Sequence, residues 1–405
     1  MPIIVQKYGG TSVGDTECIK NVARRIVAEH DAGNQVVAVV SAMGDSTDEL
    51  LKMAHEIATD PPERELDMLL STGERVSVAL LAMAIHELGR TAISLSGNQA
   101  GIQTNTVHMK ARITGVETGR LIEELESGKI VLVAGFQGVS PVEDVTTLGR
   151  GGSDTTAVAL AAALGAKLCE IFTDVDGVYT ADPGIVSDAR KIDAVSYGEM
   201  LEMAATGAEV LMLRSVEYAQ KYGVPLHVRS SFTDQPGTWI REEDEKMEKA
   251  VVSAVTHTND ESKLTLLRVP DRPGVAATVF GALAAADVNV DTIIQNVSEQ
   301  GTTDISFTVN QSDLPGAQKA LQAIAGNLGV AFLIDNDMGK VSIVGAGMKS
   351  YPGVAAKMFG TLAGAGINIE MISTSSIKIS CVIKRGQVEK AVRALHQAFN
   401  LAKPA

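Results

Sequence analysis

Cysteine, aromatic residues and positive charge are all scarce in this chain of 405 residues. The 3 cysteines, Cys18, Cys169 and Cys381, lie far apart, and an odd number makes a poor disulfide framework. Aromatic residues make up 4% of the chain and the formal net charge is −14, so stacking platforms and excess cations are both lacking. We therefore expect a cytoplasmic protein with no nucleic-acid partner and no metal site made of cysteines.

Long apolar runs are missing as well. The longest, Ala157 to Ala166, is far short of the about 20 residues that a membrane span needs. The N-terminus lacks a basic region followed by an apolar segment, so we expect neither secretion nor a membrane partner. The length predicts two to three domains at about 150 residues each.

Short apolar strands alternate with helical segments as far as about residue 230. This pattern predicts an α/β fold with a mostly parallel sheet sandwiched by helices. The predicted strands are 3–5, 36–40, 91–95, 130–134, 168–172 and 226–228. The predicted helices are 15–30, 48–58, 64–88, 119–127, 153–164, 197–206 and 215–222.

An internal repeat follows a charged segment. Residues 272–291 align without gaps to residues 351–370, and each copy predicts strand, Pro-Gly turn, helix, two strands and a second helix. The second copy lacks its last strand, so we expect the strand 251–256 to complete it. The predicted organisation is a first domain at 1–232, a linker at 233–250, and repeat domains at 263–337 and 338–405.

Two glycine-rich loops carry candidate chemistry. Lys7, Gly9 and Gly10 follow the first strand, where bare amides, a cation and a helix beginning near Asp15 suit a phosphate. An ordinary Gly-Gly turn is the alternative. Residues 149–156 form the second loop, in which Arg150 can grip a carboxylate and Ser153 or Asp154 can cap the next helix. A capped helix without function is the alternative there.

Two weaker signals lie nearby. Residues 173–183 form a third loop rich in Asp and Gly, and its alternative is a simple turn. Glu74 lies near the start of a long apolar helix, where a lone Glu is usually a partner of the helix dipole. In open parallel sheets, ligands bind outside the carboxyl ends of the strands, which is where we expect all three loops.

These motifs together resemble the aspartate kinases of the amino-acid kinase family. The resemblance is carried by KYGGTSV (7–13), VVSAMGDSTDEL (39–50), STGERVS (71–77), GFQGV (135–139), GRGGSDTTA (149–157) and TDVDGVYTADP (173–183). The repeat resembles the paired, ferredoxin-like α+β ACT domains that follow this catalytic domain. The resemblance implies phosphorylation of the L-aspartate side-chain carboxylate by ATP with Mg²⁺, and a carboxylate acceptor is already ionised at pH 7 without a general base.

Site residues are implied by the same resemblance. The catalytic residues would be Lys7, which neutralises the transferring phosphoryl group, and Asp154, which holds that cation. The nucleotide would contact Lys7, Tyr8, Gly9, Gly10, Ser41, Thr173, Asp174, Tyr179 and Asp182. Aspartate would contact Thr47, Glu74, Arg150, Gly151, Gly152 and Ser153, with Arg150 on the α-carboxylate and Glu74 on the α-ammonium. Mg²⁺ is expected to arrive with ATP, and no metal site on the protein is expected.

Regulation is implied by the ACT pair. Lysine, threonine or both would act as feedback inhibitors, and the chain would form a homo-oligomer through its ACT domains. The implied effector residues are Asp271, Gly274, Val275, Ala276, Asn289, Asp291 and Gln295 in the first copy, and Val354, Ala355, Asn368, Ile369, Thr374 and Ser375 in the second. An internal start at Met247 would give a shorter regulatory subunit.

Two positions depart from the family pattern. Gly184 and Glu209 stand where relatives commonly have Arg and Lys, so positive charge near the nucleotide is reduced. We expect Arg190 and Lys191 to compensate. The competing functions are an amino-acid sensor without turnover, or a kinase of glutamate or acetylglutamate.

Overall fold

The computed structural model describes residues 1–243, 251–296 and 301–402. The described residues form two compact units. The first comprises 1–178, 191–204 and 209–243, and the second comprises 179–190, 205–208 and the remainder from 251. The segments 179–190 and 205–208 therefore depart from the predicted boundary of the first domain at residue 232, because they pack in the second unit.

The helices of the first unit agree closely with the predicted ones, and the six predicted strands are present beside six that were not predicted. Its strands are β1 (Ile3–Tyr8), β2 (Gln35–Val40), β3 (Ala92–Leu95), β4 (Ile102–Thr104), β5 (Ile113–Val116), β6 (Ile130–Ala134), β7 (Gln137–Val139), β8 (Val145–Thr147), β9 (Leu168–Thr173), β10 (Ala194–Ser196), β11 (Leu226–Ser230) and β12 (Thr238–Arg241). Its helices are α1 (Thr16–Asp31), α2 (Ser46–Ile57), α3 (Glu63–Glu87), α4 (Gly119–Glu126), α5 (Gly152–Ala163), α6 (Tyr197–Ala205) and α7 (Leu213–Tyr222).

The main sheet has eight strands in the order β10-β12-β11-β9-β1-β2-β6-β3. All neighbouring pairs are parallel except β11 with β12. Val36, Ala38 and Val40 of β2 pack with α1 and α3, whereas α5 contacts β1, β2 and β9. The central strands are almost wholly apolar because both of their faces are covered. The predicted α/β fold is confirmed.

A second sheet of four short strands was not predicted. Its order is β5-β4-β7-β8, and each strand has only three or four residues. Strands this short carry too little periodicity to be recognised in a sequence.

The predicted linker at 233–250 is wrong for residues 238–241, which form β12 of the main sheet. Trp239 stacks on His227 with ring centroids 4.0 Å apart, and the Thr238 and Ile240 side chains are buried. The Pro236-Gly237 turn therefore leads into a strand of the first unit. Met247, the predicted internal start, lies outside the described residues.

Helix α3, with 25 residues, is long and apolar enough to cross a membrane by length and composition. It is nevertheless half buried and contacts α1, β3 and β6 in the first unit. Its buried residues include Asp67 and Glu74, which suit a core helix beside a site better than a lipid-facing one.

The second unit contains one six-stranded antiparallel sheet. Its strands are β13 (Ala254–Pro270), β14 (Ile293–Gln295), β15 (Thr302–Val309), β16 (Ala331–Val344), β17 (Met371–Thr374) and β18 (Lys378–Lys384), in the order β14-β15-β13-β16-β18-β17. Its helices are α8 (Val275–Ala285), α9 (Leu314–Leu328), α10 (Val354–Gly364) and α11 (Val388–Ala398). Residues 254–258 pair with residues 340–344, so the start of β13 lies beside the first strand of the second repeat.

Candidate active site

Lys7 and Asp154 form a nearly buried ion pair where β1 ends and α5 begins. Lys7 Nζ lies 2.6 Å from Asp154 Oδ1, and the two side chains are 13% and 8% exposed. Little water can compete with a contact of this kind, so the ammonium position is fixed before any ligand binds. A fixed cation is suited to binding a polyanion.

The loop after β1 leaves backbone rather than side chains around this cation. A Cβ on Gly9 would lie 3.5 Å from Lys7 Nζ, and one on Gly10 would lie 3.0 Å from the Ala42 carbonyl oxygen. The Gly9 amide donates to Phe172 O at 3.2 Å, and the Gly44 amide donates to Gly10 O at 3.1 Å. The ends of β1, β2 and β9 thus converge, as expected for a ligand edge of a parallel sheet.

Helix α5 brings the second glycine-rich loop to this edge. The loop follows β8 of the small sheet, so the expectation that it ends a strand of the main sheet is wrong. Gly151 is the N-cap with φ +69°, whereas Ser153 and Asp154 lie inside the helix. The predicted Ser153 or Asp154 cap is therefore also wrong, because the Asp154 carboxylate is paired with Lys7.

The expectation that helix α1 presents a free N-terminus to a phosphate is wrong. The Asp15 carboxylate accepts from the Cys18 amide at 2.8 Å and so caps α1 itself. A short helical turn at Thr11–Val13 separates the glycines from this helix. The first turn of α5 is the helix start that lies beside Lys7.

Glu74 lies in the middle of α3, against the loop after β2, so the expectation that it lies near the helix start is wrong. It is 3% exposed, and its Oε2 atom is buried without a hydrogen-bond partner in the described residues. Burial raises the pKa of this carboxyl to about 7. The neighbouring Gly73 would place a Cβ only 2.9 Å from the Ala42 Cβ, which keeps α3 close to the β2 loop. An unpaired buried carboxylate is suited to receiving a cationic group of a ligand.

The other predicted aspartate contacts lie at the start of α2 and around the start of α5. Ser153 lies beside Gly135, where a Cβ would come within 2.7 Å of Ser153 Oγ. Thr47 is in the first turn of α2, after the loop of Ser41 and Gly44. Arg150 is exposed between Gly149 and Gly151.

Tyr8 was predicted to contact nucleotide, but its side chain is buried in the core. Its ring stacks on Phe172 with centroids 4.8 Å apart, and its hydroxyl donates to Gln6 Oε1 at 3.1 Å. The Tyr8 carbonyl accepts from the Ser41 amide at 3.0 Å. Tyr8 thus anchors the loop and presents no side chain to a ligand.

Comparison with known proteins assigns this arrangement to a family. The amino acid kinase family matches residues 2–230, and ACT domain families match residues 263–326 and 341–399. The aspartokinase of Mycolicibacterium smegmatis is 57% identical over 99% of this chain and 97% of its own. The chain belongs to the aspartokinase family. The predicted resemblance is confirmed, as is the enzyme class, aspartate kinase.

Solved aspartokinases share the fold. E. coli aspartokinase III in complex with aspartate and ADP, described as the R-state, is 26% identical with a TM-score of 0.85 and covers 98% of this chain and 99% of its own. The complex of aspartokinase III with lysine and aspartate, described as the T-state, has a TM-score of 0.73 at 26% identity and covers 99% and 100% of the two chains. The predicted pair of ACT domains after the catalytic domain is confirmed.

The predicted nucleotide residues fall in both units. Thr173 Oγ1 donates to Asp174 Oδ1 at 3.0 Å in the first unit. Tyr179 and Asp182 belong to the second unit, where Tyr179 packs on the core of the second repeat. Asp182 accepts from the Gly184 amide at 2.8 Å.

Of the two cations proposed to compensate, Lys191 already uses its side chain in hydrogen bonds. Lys191 donates to the carbonyl oxygens of Pro236 and Gly237, so it braces the turn before β12. In the second unit, the Arg190 carbonyl accepts from the Thr180 amide at 2.9 Å, and the Arg190 amide donates to Thr180 Oγ1 at 3.0 Å. Glu209 is exposed in the first unit. Compensation for Gly184 and Glu209 stays a prediction.

The predicted effector residues of the first ACT domain largely meet at one cavity. This cavity of about 320 Å³ is lined by Pro270, Asp271, Arg272, Pro273, Gly274, Val275, Ala276, Gln295, Thr303 and Ile305. Asn289 and Asp291 do not line it. The Asn289 amide donates to Asp313 Oδ2 at 3.4 Å, and Asp291 binds Lys340.

The predicted effector residues of the second ACT domain are dispersed. Val354 lines a cavity of about 530 Å³ with Arg190 and Lys357, whereas Ala355 and Ile369 pack on the repeat core. Asn368 donates to Glu370 at 3.2 Å, Thr374 ends β17, and the Ser375 amide donates to Lys378 O at 2.9 Å.

Sequence reasoning missed residues that support the active site. Asp67 is fully buried on α3 and hydrogen-bonds the loop that precedes Arg150. Ser12 and Ser231 join the β1 and β11 ends through hydroxyls 2.5 Å apart. No motif marks Asp67 or Ser231, whereas Ser12 lies within the KYGGTSV segment. No group of three or more His, Cys, Asp or Glu suited to a metal occurs among the described residues.

Proposed function

We propose that the protein transfers the γ-phosphoryl group of ATP to the side-chain carboxylate of L-aspartate, which gives 4-phospho-L-aspartate and ADP. The observation that carries this proposal is the Lys7–Asp154 pair beside the backbone of Gly9 and Gly10, which carry no side chains. The aspartokinase III structure that holds aspartate and ADP supports it as a relative.

The reaction needs alignment and charge neutralisation more than proton transfer. A carboxylate oxygen of aspartate attacks the γ-phosphorus while the bond from phosphorus to the bridging oxygen of ADP breaks. Carboxylates are ionised at pH 7, so no general base is needed. Positioning and electrostatic stabilisation are the main contributions that a protein makes to phosphoryl transfer.

Lys7 supplies the positive charge for the phosphoryl group in transit. Its 2.6 Å contact with Asp154 holds the ammonium at the mouth of the β1 loop. The backbone of Gly9 and Gly10, together with Ser41, Thr173 and Asp174, is proposed to surround the nucleotide. Mg²⁺ would reach the site with ATP and neutralise phosphate charge.

Glu74 and Arg150 are proposed to bind the two ends of the amino acid. The buried Glu74 carboxyl would pair with the α-ammonium, which restores the charge partner that Oε2 lacks. Arg150 is exposed and can meet the α-carboxylate bidentately. Thr47 and the loop of Gly151, Gly152 and Ser153 would complete the substrate pocket.

Feedback regulation is proposed through the ACT domains. Lysine or threonine would bind in the cavity lined by Asp271 and Gln295. The lysine complex of aspartokinase III supports an amino-acid effector. An effector inhibits only if it binds the inactive arrangement more tightly. We further propose a cytoplasmic homo-oligomer in the synthesis of lysine, threonine and methionine, with a shorter subunit starting at Met247.

A hydroxamate assay with ATP and Mg²⁺ tests the activity. Acyl phosphate is expected with L-aspartate and not with glutamate or acetylglutamate, and lysine and threonine are added singly and together. Acyl phosphate from glutamate alone would assign a different kinase. No acyl phosphate from folded protein would favour the amino-acid sensor.

A further inference from the structure

Asp67 lies at the centre of a buried hydrogen-bond network beside the proposed substrate loop. It is fully buried on α3. Its Oδ1 accepts from Thr147 Oγ1 at 2.6 Å and from the Met109 amide at 3.1 Å, and its Oδ2 lies 2.6 Å from His108 Nδ1. A buried carboxylate is costly unless its oxygens are hydrogen-bonded. These contacts therefore join α3, β8 and the loop around residues 108–109 into one rigid group.

The chain leading from β8 to Arg150 is held from several sides. The Thr147 carbonyl accepts from the Ala111 amide at 2.9 Å, and the Leu148 amide donates to Phe136 O at 2.8 Å. Arg214 donates to Leu148 O at 2.9 Å and to Ala111 O at 3.2 Å. The backbone is thus fixed up to Leu148, two residues before Arg150.

Arg150 itself lies between two glycines in the left-handed backbone region. Gly149 and Gly151 have φ of +77° and +69°, a region that glycine enters without strain. A glycine on each side leaves the Arg150 backbone free to move unless its flanks are fixed. On one side the flank is α5, since the Gly152 amide donates to Gly149 O at 2.9 Å. On the other side the fixed flank is Thr147, whose hydroxyl donates to Asp67 Oδ1.

Asp67 and Glu74 share one face of α3. Seven residues correspond to about two turns of an α-helix, so both side chains point in a similar direction. Glu74 reaches the loop after β2, and Asp67 reaches β8. A single helix therefore determines the separation between the group proposed for the ammonium and the loop proposed for the carboxylate.

We propose that Asp67, through Thr147, is a positioning residue that fixes the loop of Arg150 and thereby sets the affinity for the amino-acid substrate. This inference rests on the proposed function, in which Arg150 binds the α-carboxylate. It assigns Asp67 no contact with substrate. Because Arg150 is proposed to contact aspartate, we expect Asp67 to influence the affinity for aspartate and not the affinity for the nucleotide.

The test uses Thr147→Val, which removes the hydroxyl donor and keeps the shape. Thr146→Val is the matched control, because the neighbouring Thr146 is equally buried and pairs with Thr104 Oγ1 at 2.6 Å. We expect the aspartate KM of Thr147→Val to rise about 10-fold, with less than about a twofold change in ATP KM. Thr146→Val should leave both KM values near those of the parent.

The Arg150→Ala background separates positioning from general damage. If Thr147 acts through Arg150, the double variant with Thr147→Val and Arg150→Ala should have an aspartate KM less than about twofold above that of Arg150→Ala alone. Asp67→Asn should reproduce the aspartate-selective effect, and Thr147→Val carries the test where Asp67→Asn does not fold. Equal rises in both KM values, an equal effect of Thr146→Val, or a full additive effect in Arg150→Ala would overturn the inference.

The proposed function fails in a different way. If no variant or parent protein phosphorylates aspartate, the activity assignment is wrong. If the parent is active and Arg150→Ala leaves the aspartate KM unchanged, Arg150 is not the carboxylate ligand, and the positioning role falls with it. A raised KM in Arg150→Ala with an unchanged KM in Thr147→Val rejects the positioning role alone.

Discussion

The Lys7 ammonium lies 2.6 Å from Asp154 Oδ1, and this contact joins the end of the first strand to the first turn of helix α5. The two residues are far apart in sequence, and each belongs to a separate glycine-rich motif. Their contact brings two weak motifs together at one candidate site.

Glu74→Gln should stabilise the protein at alkaline pH. Burial raises the Glu74 pKa to about 7 from 4.5, so the folded protein holds a proton that the unfolded chain releases. Stability from this group is complete below about pH 4.5 and is lost as pH rises through about 7, by up to about 3 kcal/mol. Thermal unfolding of the variant should match the parent at pH 4.5 and occur at higher temperature at pH 8. Identical profiles at both pH values would contradict the assigned pKa.

The same variant should bind aspartate poorly. Glutamine has no charge for the α-ammonium, so the aspartate KM at pH 8 should rise at least about 10-fold while the ATP KM changes little. In the parent, the aspartate KM should fall as pH rises through about 7, because Glu74 becomes ionised. A pH-independent aspartate KM between pH 6 and pH 8 would remove Glu74 from this role.

Gly151→Ala should damage the active site beyond the strain of its backbone. Gly151 has φ +69°, and a Cβ there would lie 2.7 Å from Met212 Cβ and nearer still to Met212 Cγ. Gly128→Ala is the control, since φ is +78° and no atom lies within 4 Å. Both variants should lose about 1 kcal/mol of stability from the left-handed backbone. Only Gly151→Ala should also lose activity, and equal activity in the two would contradict the steric argument.

Lys340→Met should destabilise the second unit. Lys340 Nζ lies 2.5 Å from Glu261 Oε1 and 2.6 Å from Asp291 Oδ2, and the Lys340 and Glu261 side chains are almost fully buried. Burial lowers the Lys340 pKa, but the two carboxylates outweigh it and raise that pKa overall. Loss of the cation leaves a buried carboxylate without its partner, which costs about 3–5 kcal/mol.

Lys384→Met is the control for this substitution. Lys384 Nζ lies 2.6 Å from Asp335 Oδ2, but these side chains are 44% and 41% exposed. An exposed pair of this kind contributes little to stability, because water screens its charges. Urea unfolding should show a large loss for Lys340→Met, a small one for Lys384→Met, and partial recovery in Lys340→Met with Glu261→Gln. Equal losses for the two lysine variants would show that burial does not govern this ion network.

Sequence patterns predicted the central strands and the helices because those segments are long and carry regular apolar spacing. They also predicted Lys7, Gly9, Gly10 and Asp154 as site residues, because these residue types suit phosphate chemistry, and the ion pair brings Lys7 and Asp154 together. The small sheet escaped because its strands have three or four residues. Strand β12 was not predicted because a Pro-Gly turn precedes it and a charged segment follows it in the sequence.

Side-chain partners were the least predictable feature. Asp67 lies in an apolar helix and Thr147 in a three-residue strand, so nothing local shows that the two hydrogen-bond. The helix cap was also misassigned, because Asp154 bonds to a distant lysine rather than to its own helix. Such contacts depend on the tertiary fold, which brings together residues that are far apart in sequence.

Acyl phosphate formation by Lys7→Met tests the account most directly. The hydroxamate assay with ATP, Mg²⁺ and L-aspartate is run on the parent, on Lys7→Met, and on Lys20→Met, whose lysine is exposed and pairs with Glu17 at 3.2 Å. The account predicts an active parent, an unaffected Lys20→Met, and a kcat reduced at least about 100-fold in folded Lys7→Met. A folded Lys7→Met that turns over at the parent rate would contradict it.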